Sequence, residues 1–449
     1  MSDNPQQYIA VDQLRIGMFV ELGLGWMAHP FPSGNFKIAT DRQIDTIRTL
    51  GLPRVKVITY KSDTGVFGAE PDVTGSTDQP AMSAALLARD PLPPESNTMP
   101  AGGQPSRDSR TDRVDRIVYQ QQRLAVCEQH FGDALRQYRK TVESVSANPA
   151  LALEQSQLMV SRFVGDLLDD GDSAIRLLSE GVGERAALHP VNVSIISLLL
   201  GKAIKLSEAE MLDLGLAAFL HDIGKSQLPD RVRWLQENFS ATEYRLYQEH
   251  VSESLKLCRR MGLTEGALAS IAQHHELIDG SGFPARLKGD SMTRSAKILA
   301  LVNRYENLCN PGRVTAALTP HEALQLIFSQ LKTRFDGTTL SAFIRMMGVY
   351  PPGSVVQLVD GRHAIVVSVN SSRPLKPRII VYERDVPKDE ALILDLEQTP
   401  SVGIRRSLKP ASLPEEAFTY LGPRSRMCYF FERATEPDVP TSVTPRVHS

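Results

Sequence analysis

The amino-acid sequence predicts a multidomain fold: an all-α helical core between a small α+β domain at the N-terminus and a small β domain at the C-terminus. Three observations predict it. Amphipathic helical periodicity runs from about residue 113 to 345, strand-like runs occur in the first sixty residues, and a hairpin pattern follows Met347. A chain of 449 residues is long enough for roughly two to four domains.

Composition and charge exclude several classes of protein. Hydrophobic residues make up 42% of the chain, and the net charge of −2 gives no basic character that would indicate a nucleic acid polymer or anionic lipid as partner. The four cysteines include no CxxC pair, so neither a disulfide framework nor a thiolate zinc site is indicated. We see neither a signal peptide pattern nor a membrane span and therefore expect a cytoplasmic protein.

Residues 1–60 are predicted to form a small α+β domain. Strand-like runs lie at 8–11, 18–20 and 55–58. A capping-box pattern at Thr40 opens a short helix between the second and third of these runs. A compact module with one helix and a few strands follows from this pattern.

The next two segments, 61–112 and 113–170, differ in composition and in hydrophobic periodicity. Residues 61–112 are rich in Ser, Thr, Pro, Gly and Asp with little apolar periodicity, which predicts a disordered linker. Residues 113–170 contain long amphipathic stretches and are predicted to be helical. These helices either pack onto the core domain or form a coiled coil that binds a partner, and the sequence favours neither.

Residues 171–345 are predicted to form the helical core domain. Pro190, at a first-turn position, is predicted to start a helix that runs to about Leu206. Capping boxes at Ser207 and Ser240 open two further helices. A helix opened by Thr264 is predicted to carry His274 and His275, a turn covers 279–282, and a further helix covers 295–308.

Residues 346–432 are predicted to form a small β domain, and residues 433–449 a flexible tail. The segment 355–359, the turn Asp360-Gly361 and the segment 364–369 form a strong hairpin pattern. Further strand-like runs follow at 379–382 and 392–396.

The helical core contains residues that indicate a two-metal centre. An adjacent His221-Asp222 pair lets an imidazole bind one ion while the carboxylate binds two through its separate oxygens. A lone histidine is more often structural, but five histidines and one aspartate on or at the ends of the predicted helices favour a metal site. The candidate ligands are His189, His221, Asp222, His250, His274 and His275.

The ligand types also indicate a metal and a reaction. Nitrogen and carboxylate ligands suit iron, manganese or zinc, and a set without thiolate favours iron or manganese. Two cations that share Asp222 would lower the pKa of a water between them, so that the resulting hydroxide attacks phosphorus. Lys225, about one helical turn after His221, would place a cation against the phosphate oxygens.

The ordered motifs of residues 180–325 resemble those of the HD-GYP family, a branch of the HD phosphohydrolases, and the first sixty residues resemble the small domain that often precedes it. The motifs are, in order, His189, His221-Asp222-Ile223-Gly224-Lys225, His250, His274-His275-Glu276 and Asp279-Gly280-Ser281-Gly282-Phe283-Pro284. The resemblance implies an all-helical catalytic domain (171–345) that binds two or three metal ions, usually iron. It also implies hydrolysis of the bacterial second messenger cyclic di-GMP to pGpG or GMP. By resemblance, Asp222 bridges the ions, His189 and His221 bind one, and His250, His274 and His275 bind the other.

The sequence departs from the family pattern at four places. Asn303 stands where the family has a last aspartate ligand, and Arg185 where three-metal members have a glutamate, so about two divalent ions are expected. Phe283 replaces the tyrosine of the family name, and Gly312-Arg313-Val314-Thr315 replaces an Arg-Pro-Tyr-Arg segment. The resemblance thus implies substrate binding by Lys225, Asp279, Gly280, Phe283 and Arg313.

Three functions remain open on the sequence. The leading one is a metal-dependent cyclic di-GMP phosphodiesterase, with Asp222 and Lys225 as catalytic residues. The second is a catalytically degenerate signalling scaffold that binds a nucleotide or a partner protein, and the third is a phosphohydrolase for another nucleotide. Cyclic di-GMP, signalling proteins and a second copy of the chain are the partners we consider.

Overall fold

The computed structural model of the chain divides into two compact units, Met1–Thr111 and Asp112–Ser449, each of which is described by itself. Most of the predicted linker and tail lies outside the described residues, as does Arg313. The described residues are 6–22, 35–49, 52–63, 107–169, 171–179, 185–235, 239–312, 316–370, 373–399 and 401–433.

The first unit is a four-stranded antiparallel sheet with one helix. Its elements are β1 (Gln6–Ala10), β2 (Phe19–Glu21), β3 (Asn35–Lys37), α1 (Asp41–Thr49) and β4 (Arg54–Ile58). The strand order is β1-β4-β2-β3. The Gln43 side chain accepts hydrogen bonds from the N–H groups of Ala39 and Thr40, as the capping-box pattern predicts. Ile47 of α1 and Val57 of β4 are fully buried in the core between helix and sheet.

The second unit is largely helical. Its helices are α2 (Arg107–Ser144), which begins in the first unit, α3 (Pro149–Leu168), α4 (Arg185–Ala203), α5 (Glu208–Leu220), α6 (Ala241–Met261), α7 (Glu265–Gln273), α8 (Arg294–Cys309), α9 (Pro320–Gln330), α10 (Gly337–Met347) and α11 (Glu415–Leu421). Helix α4 packs against α5 and α8, and every side chain from 187 to 201 is buried. By length and composition α4 could cross a membrane, with mean hydropathy 1.3 over Ala186–Ala203, but 83% of this stretch is buried inside the fold.

The start of α4 differs from the sequence prediction. The helix begins at Arg185, so Pro190 lies inside it rather than in its first turn. A proline there removes one backbone hydrogen bond, a cost of about 3 kcal/mol. Burial of Ala187 and Leu188, which are 1% and 2% exposed, offsets that cost.

The strands of the second unit form one seven-stranded sheet in which all pairings are antiparallel. Its strands are β5 (Ser173–Leu177), β6 (Val355–Leu358), β7 (His363–Asn370), β8 (Arg378–Val381), β9 (Ile393–Asp395), β10 (Ile404–Leu408) and β11 (Tyr429–Arg433). The predicted hairpin is present: Gly361, with a φ of 91°, turns the chain between β6 and β7. The sheet is not built from residues 346–432 alone, because β5 lies between β7 and β11.

Strands β5, β10 and β11 were not predicted from the sequence. All five residues of β5 and the first four of β11 are buried, so neither strand shows the alternation of a half-exposed strand. Helix α4 contacts β11 directly. The sheet therefore contacts the helix that carries His189.

Candidate metal centre

The His221-Asp222 pair is placed by the end of α5. Ser207 and Glu210 form the predicted capping box at the start of this helix, and the helix ends at Leu220. The chain then forms a 3₁₀ turn, Ile223–Gln227, in which the N–H of Lys225 donates to the Asp222 carbonyl at 2.9 Å. Both members of the pair are buried at this junction.

Gly224 allows this turn to pack directly on α6. A Cβ at position 224 would lie 2.2 Å from the Ser254 nitrogen and 2.4 Å from the His250 carbonyl oxygen. The Ser254 hydroxyl donates to the His221 carbonyl at 2.7 Å and accepts from the Gly224 N–H at 2.9 Å. The close approach brings His221 and His250 to the same place, which explains the glycine of the motif.

Asp222 lies at the centre of two groups of potential ligands. One group is His189, His221 and Asp222, and the other is Asp222, His250, His274 and His275; within each group the ligand atoms lie within 4.8 Å of one another. The Oδ2 atom of Asp222 is 3.4 Å from Nε2 of both His189 and His221. The Oδ1 atom is 3.4 Å from Nε2 of His250 and 3.8 Å from Nε2 of His274. Each carboxylate oxygen thus faces one group.

The hydrogen bonds of Nδ1 show which ring nitrogen of the histidines carries the proton. In three of them Nδ1 donates to the carbonyl oxygen three residues earlier, which can only accept: His221 to Ala218, His250 to Tyr247 and His274 to Ile271, at 2.8, 2.6 and 2.6 Å. A neutral imidazole with a proton on Nδ1 has a lone pair on Nε2. All three therefore present a metal-binding nitrogen toward Asp222.

The electrostatics of the centre keep most of these ligands ready to bind a cation. Burial lowers the pKa of His250 to about 4 and holds the pKa values of His274 and His275 well below the usual range. Burial opposes the charged form of Asp222, but Lys225 and His221 outweigh it and keep the Asp222 pKa well below its usual value. Burial lowers the pKa of His189, whereas the carboxylates of Glu306 and Asp222 raise it, to about 9.

The donor atoms fit divalent metal ions. Nε2 of His250 lies 3.2 Å from Nε2 of His274 and 3.1 Å from Nε2 of His275. Since His250 and His274 are neutral with the proton on Nδ1, their lone pairs face each other, and a cation between them removes that repulsion. Two ligands at right angles, each about 2.1 Å from one ion, would be roughly 3 Å apart. Among the described side chains, Oδ1 of Asp222 is also a buried acceptor without a hydrogen bond.

Lys225 lies directly beside Asp222. Its Nζ is 2.5 Å from Oδ2 of Asp222, on the side of His189 and His221. The ammonium also lies 5.4 Å from the ring centroid of Trp234 and 5.5 Å from that of Tyr247, within cation–π range. The ammonium group of Lys225 therefore lies beside Asp222, as predicted for a cation at this site, and two aromatic rings that the sequence did not indicate flank it.

Phe283 also lies at the centre. Its ring stacks on His275 with centroids 4.4 Å apart, and its N–H donates to the His275 carbonyl. The fully buried Glu276 holds the following loop by accepting from the N–H groups of Ala285 and Leu287 at 2.6 and 2.9 Å. The glycine before Phe283 is needed because a Cβ there would lie 2.5 Å from the Glu276 Cα.

The remaining predicted residues are not all brought to the centre. Asp279 is exposed and its carboxylate accepts from the N–H and hydroxyl of Ser281, while Gly280 adopts a φ of 78° in the same turn. Asn303 is buried on α8, where its amide oxygen accepts from Asn307 at 2.7 Å. Within the ranges that the structure describes, no hydrogen bond joins Asp279 or Asn303 to the histidines. Arg313 lies outside those ranges.

Sequence reasoning missed a buried carboxylate beside the histidines. Glu306 is fully buried on α8 and accepts from Nδ1 of His189. It follows Asn303 by three residues, and Asn192, which bonds Glu306, follows His189 by the same interval. Polar residues that share a buried helix face with a predicted ligand were the available signal.

Two family models match the chain. One, described as an HD domain, matches residues 172–339. The other, described as a domain of unknown function (DUF3391), matches residues 6–156. Together they cover residues 6–156 and 172–339.

Similar proteins include characterised nucleotide phosphodiesterases. A cyclic di-GMP phosphodiesterase of Pseudomonas aeruginosa is 26% identical over 83% of this chain and 84% of its own length. A 3'3'-cGAMP-specific phosphodiesterase of Vibrio cholerae is 30% identical over 38% of this chain and 33% of its own length. The solved structure of an HD-GYP protein from Bdellovibrio bacteriovorus matches 75% of this chain and 98% of its own, with 13% identity and a TM-score of 0.40.

Proposed function

We propose that this chain, in which residues 172–339 match an HD domain and residues 6–156 match DUF3391, is a metal-dependent phosphodiesterase that hydrolyses cyclic di-GMP to pGpG or GMP. One observation carries the proposal: unprotonated imidazole nitrogens of His250 and His274 face each other at 3.2 Å beside a carboxylate. A cation among these ligands would remove the repulsion between their lone pairs. The relatives named as cyclic di-GMP phosphodiesterases support the choice of substrate.

Two divalent ions, iron or manganese, are proposed to bind on the two sides of Asp222. His189 and His221 would hold one ion with Oδ2, and His250, His274 and His275 the other with Oδ1. When bound, the ions would supply hydroxide at neutral pH and absorb charge that develops on phosphorus. Asn303 is proposed to complete the first set through its amide oxygen.

The chain's own residues would position the substrate. Lys225 is proposed to hold a phosphate oxygen, because a protonated ammonium can donate but cannot bind a metal. Phe283, stacked on His275, would offer an apolar face to a nucleobase. Asp279, Gly280 and Arg313 are proposed as further contacts to the nucleotide. Hydrolysis then adds water across one phosphodiester bond and leaves a linear dinucleotide.

A binding scaffold is the second candidate, and specific observations favour it. Asn303 offers a neutral ligand where a carboxylate is expected, and its oxygen is already bonded to Asn307. Lys225 is paired with Asp222 in the structure. A protein with these features would bind a cyclic dinucleotide or a signalling partner without hydrolysis.

Metal analysis followed by a turnover assay tests the proposal. Protein purified without oxygen should hold about two ions per chain. Asp222→Ala should lose both, because the ions lose their shared ligand, whereas Asp230→Ala, at an exposed position, should keep them. With iron or manganese added, the wild type should convert cyclic di-GMP to pGpG or GMP.

The assay also separates the rival functions. Binding of cyclic di-GMP without turnover under any metal would replace the enzyme with the scaffold. A protein that neither binds nor cleaves it has a different substrate, and 3'3'-cGAMP is the next nucleotide to assay.

A further inference from the structure

Glu306 connects a proposed metal ligand to the rest of the fold. Its Oε2 accepts a hydrogen bond from Nδ1 of His189. Its Oε1 accepts from Nδ2 of Asn192 at 3.2 Å and from Nδ2 of Asn310 at 2.8 Å. The carboxylate is fully buried, so these three donors are its environment.

The two asparagines take their orientation from the backbone that leads into β11. The Tyr429 N–H donates to the Asn192 amide oxygen at 3.1 Å, and the Met427 N–H donates to the Asn310 amide oxygen at 2.8 Å. Both NH₂ groups also donate to the Met427 carbonyl, at 2.7 and 2.9 Å. A backbone N–H can only donate and a carbonyl can only accept, so the NH₂ groups must face Glu306.

This orientation decides which nitrogen of His189 carries the proton. Glu306 as a carboxylate has only acceptors, so His189 must place its proton on Nδ1. In the neutral imidazole, the form that binds a metal ion, Nε2 then carries the lone pair, 3.4 Å from Oδ2 of Asp222. Among the proposed ligands, His221, His250 and His274 each bond Nδ1 to a carbonyl three residues earlier, whereas His189 depends on residues far along the chain.

We propose that the backbone of Met427 and Tyr429, acting through Asn192, Asn310 and Glu306, fixes His189 in the tautomer that binds a metal ion. Glu306 is therefore a positioning residue, and residues 427–429, the C-terminal segment, are part of the proposed metal centre. The inference rests on the proposed two-metal function. It implies that binding of the ion held by His189 and His221 depends on Glu306, whereas binding of the other ion does not.

The substitution Glu306→Gln tests the first step. The NH₂ group of the introduced glutamine side chain cannot face the NH₂ groups of the two asparagines, so it must turn toward His189. It then donates to Nδ1 and moves the imidazole proton to Nε2, which can no longer bind a metal. The ion held by His189 and His221 should be lost while the other stays, so metal content should fall from about two ions to about one.

Glu322→Gln is the matched control. Glu322 lies in the capping box of α9, and its described bonds are to Thr319 and Lys409, away from the histidines. This variant should keep both ions. Metal analysis is paired with melting temperature, because a merely structural role for Glu306 would lower the melting temperature without removing one particular ion.

The substitutions Asn192→Ala and Asn310→Ala test the link to the C-terminal segment. Each should weaken binding of the same ion, measured by chelator competition, and leave the affinity for the other ion unchanged. Unchanged content and affinity in Glu306→Gln, with about two ions in the wild type, would overturn the inference alone. Wild-type protein without metal would overturn the proposed function and the inference with it. Equal weakening of both ions in the asparagine variants would remove the C-terminal segment from the proposal.

Discussion

At the scale of single residues, covalent neighbours were predictable and distant partners were not. His221 and Asp222 are adjacent in sequence, so their joint presence in the cluster of potential metal ligands followed from the motif. The partner of His189 is Glu306, which lies 117 residues away. The hydrophobic periodicity of the sequence cannot predict this pairing, because it depends on how α4 and α8 pack against each other.

A substitution at Lys225 distinguishes an effect on metal binding from an effect on turnover. Lys225→Ala should leave metal content near that of the wild type, since the ammonium is not a ligand. It should lower turnover by roughly tenfold to a thousandfold, the range for losing one electrostatic stabiliser of the transition state. Steady-state rates and metal analysis measure the two effects. Lys256→Ala, which breaks an exposed ion pair on α6, is the control; a comparable loss there would contradict a specific role.

Asn303 tests how much charge the first ion needs. Asn303→Asp keeps an acceptor for Asn307 and adds a negative charge, so affinity for the ion of His189 and His221 should rise. Asn303→Ala offers no oxygen and should change that affinity in the opposite direction. Metal titration of both variants measures it. Identical affinities in both would show that residue 303 does not bind the ion.

At the scale of elements, caps and turns followed from local sequence, whereas packing decided the exceptions. The capping boxes at Ser207 and Ser240 mark helix starts as predicted, and at Thr40 the Gln43 side chain accepts from the backbone, because these partners lie within four residues of each other. Helix α4 begins before Pro190, where burial of Ala187 and Leu188 offsets the cost of the proline. Helix α7 ends at Gln273, so His274 lies at its cap and His275 beyond it.

Gly224 is the point where two elements must meet. Gly224→Ala should place a methyl group against the backbone of α6 and cost about 1 to 3 kcal/mol of unfolding free energy. It should also weaken metal binding, because it moves His221 away from His250. Gly165→Ala on α3, where a Cβ would have nothing within 4 Å, should be neutral or slightly stabilising. Chemical denaturation measures both, and equal stabilities would contradict the packing argument.

At the scale of the whole molecule, family and coarse architecture could be predicted, whereas the composition of the sheet could not. The ordered metal motifs identified the HD domain, and the match to residues 172–339 confirms it. The strands after Met347 were predicted in part, from the hairpin at Gly361. Strand β5 was not, because its pairing with β7 and β11 joins residues far apart in sequence and its five residues are buried without alternation.

The buried histidines predict how stability of the metal-free protein depends on pH. The pKa of His250 is lowered to about 4 and those of His274 and His275 are also low, so the unfolded chain binds more protons below about pH 6.5. Stability should fall as the pH drops from about 6.5 to 4. His189, with a pKa raised to about 9, stabilises the fold below about pH 6.5 and loses that effect toward pH 9.

The unfolding free energy of chelator-treated protein should therefore be greatest near neutral pH, with each histidine contributing at most about 1.4 kcal/mol per pH unit on its limb. Urea denaturation at several pH values measures it. His250→Gln should make the acid limb shallower. A profile whose acid limb is the same in both proteins would show that His250 does not titrate in this way.

Strand β5 has a consequence for synthesis on the ribosome. The carbonyl of Leu178, just after β5, accepts from Arg424, which is 246 residues later. At roughly 5 to 20 residues per second, translation separates these two groups by about ten to fifty seconds. Until β7 has been made, a nascent chain displays a buried-type strand with both edges open, and one edge stays open until β11 follows; an open edge is a template for pairing with neighbouring chains. We therefore expect nascent chains to need protection by a chaperone until the partners of β5 have been made.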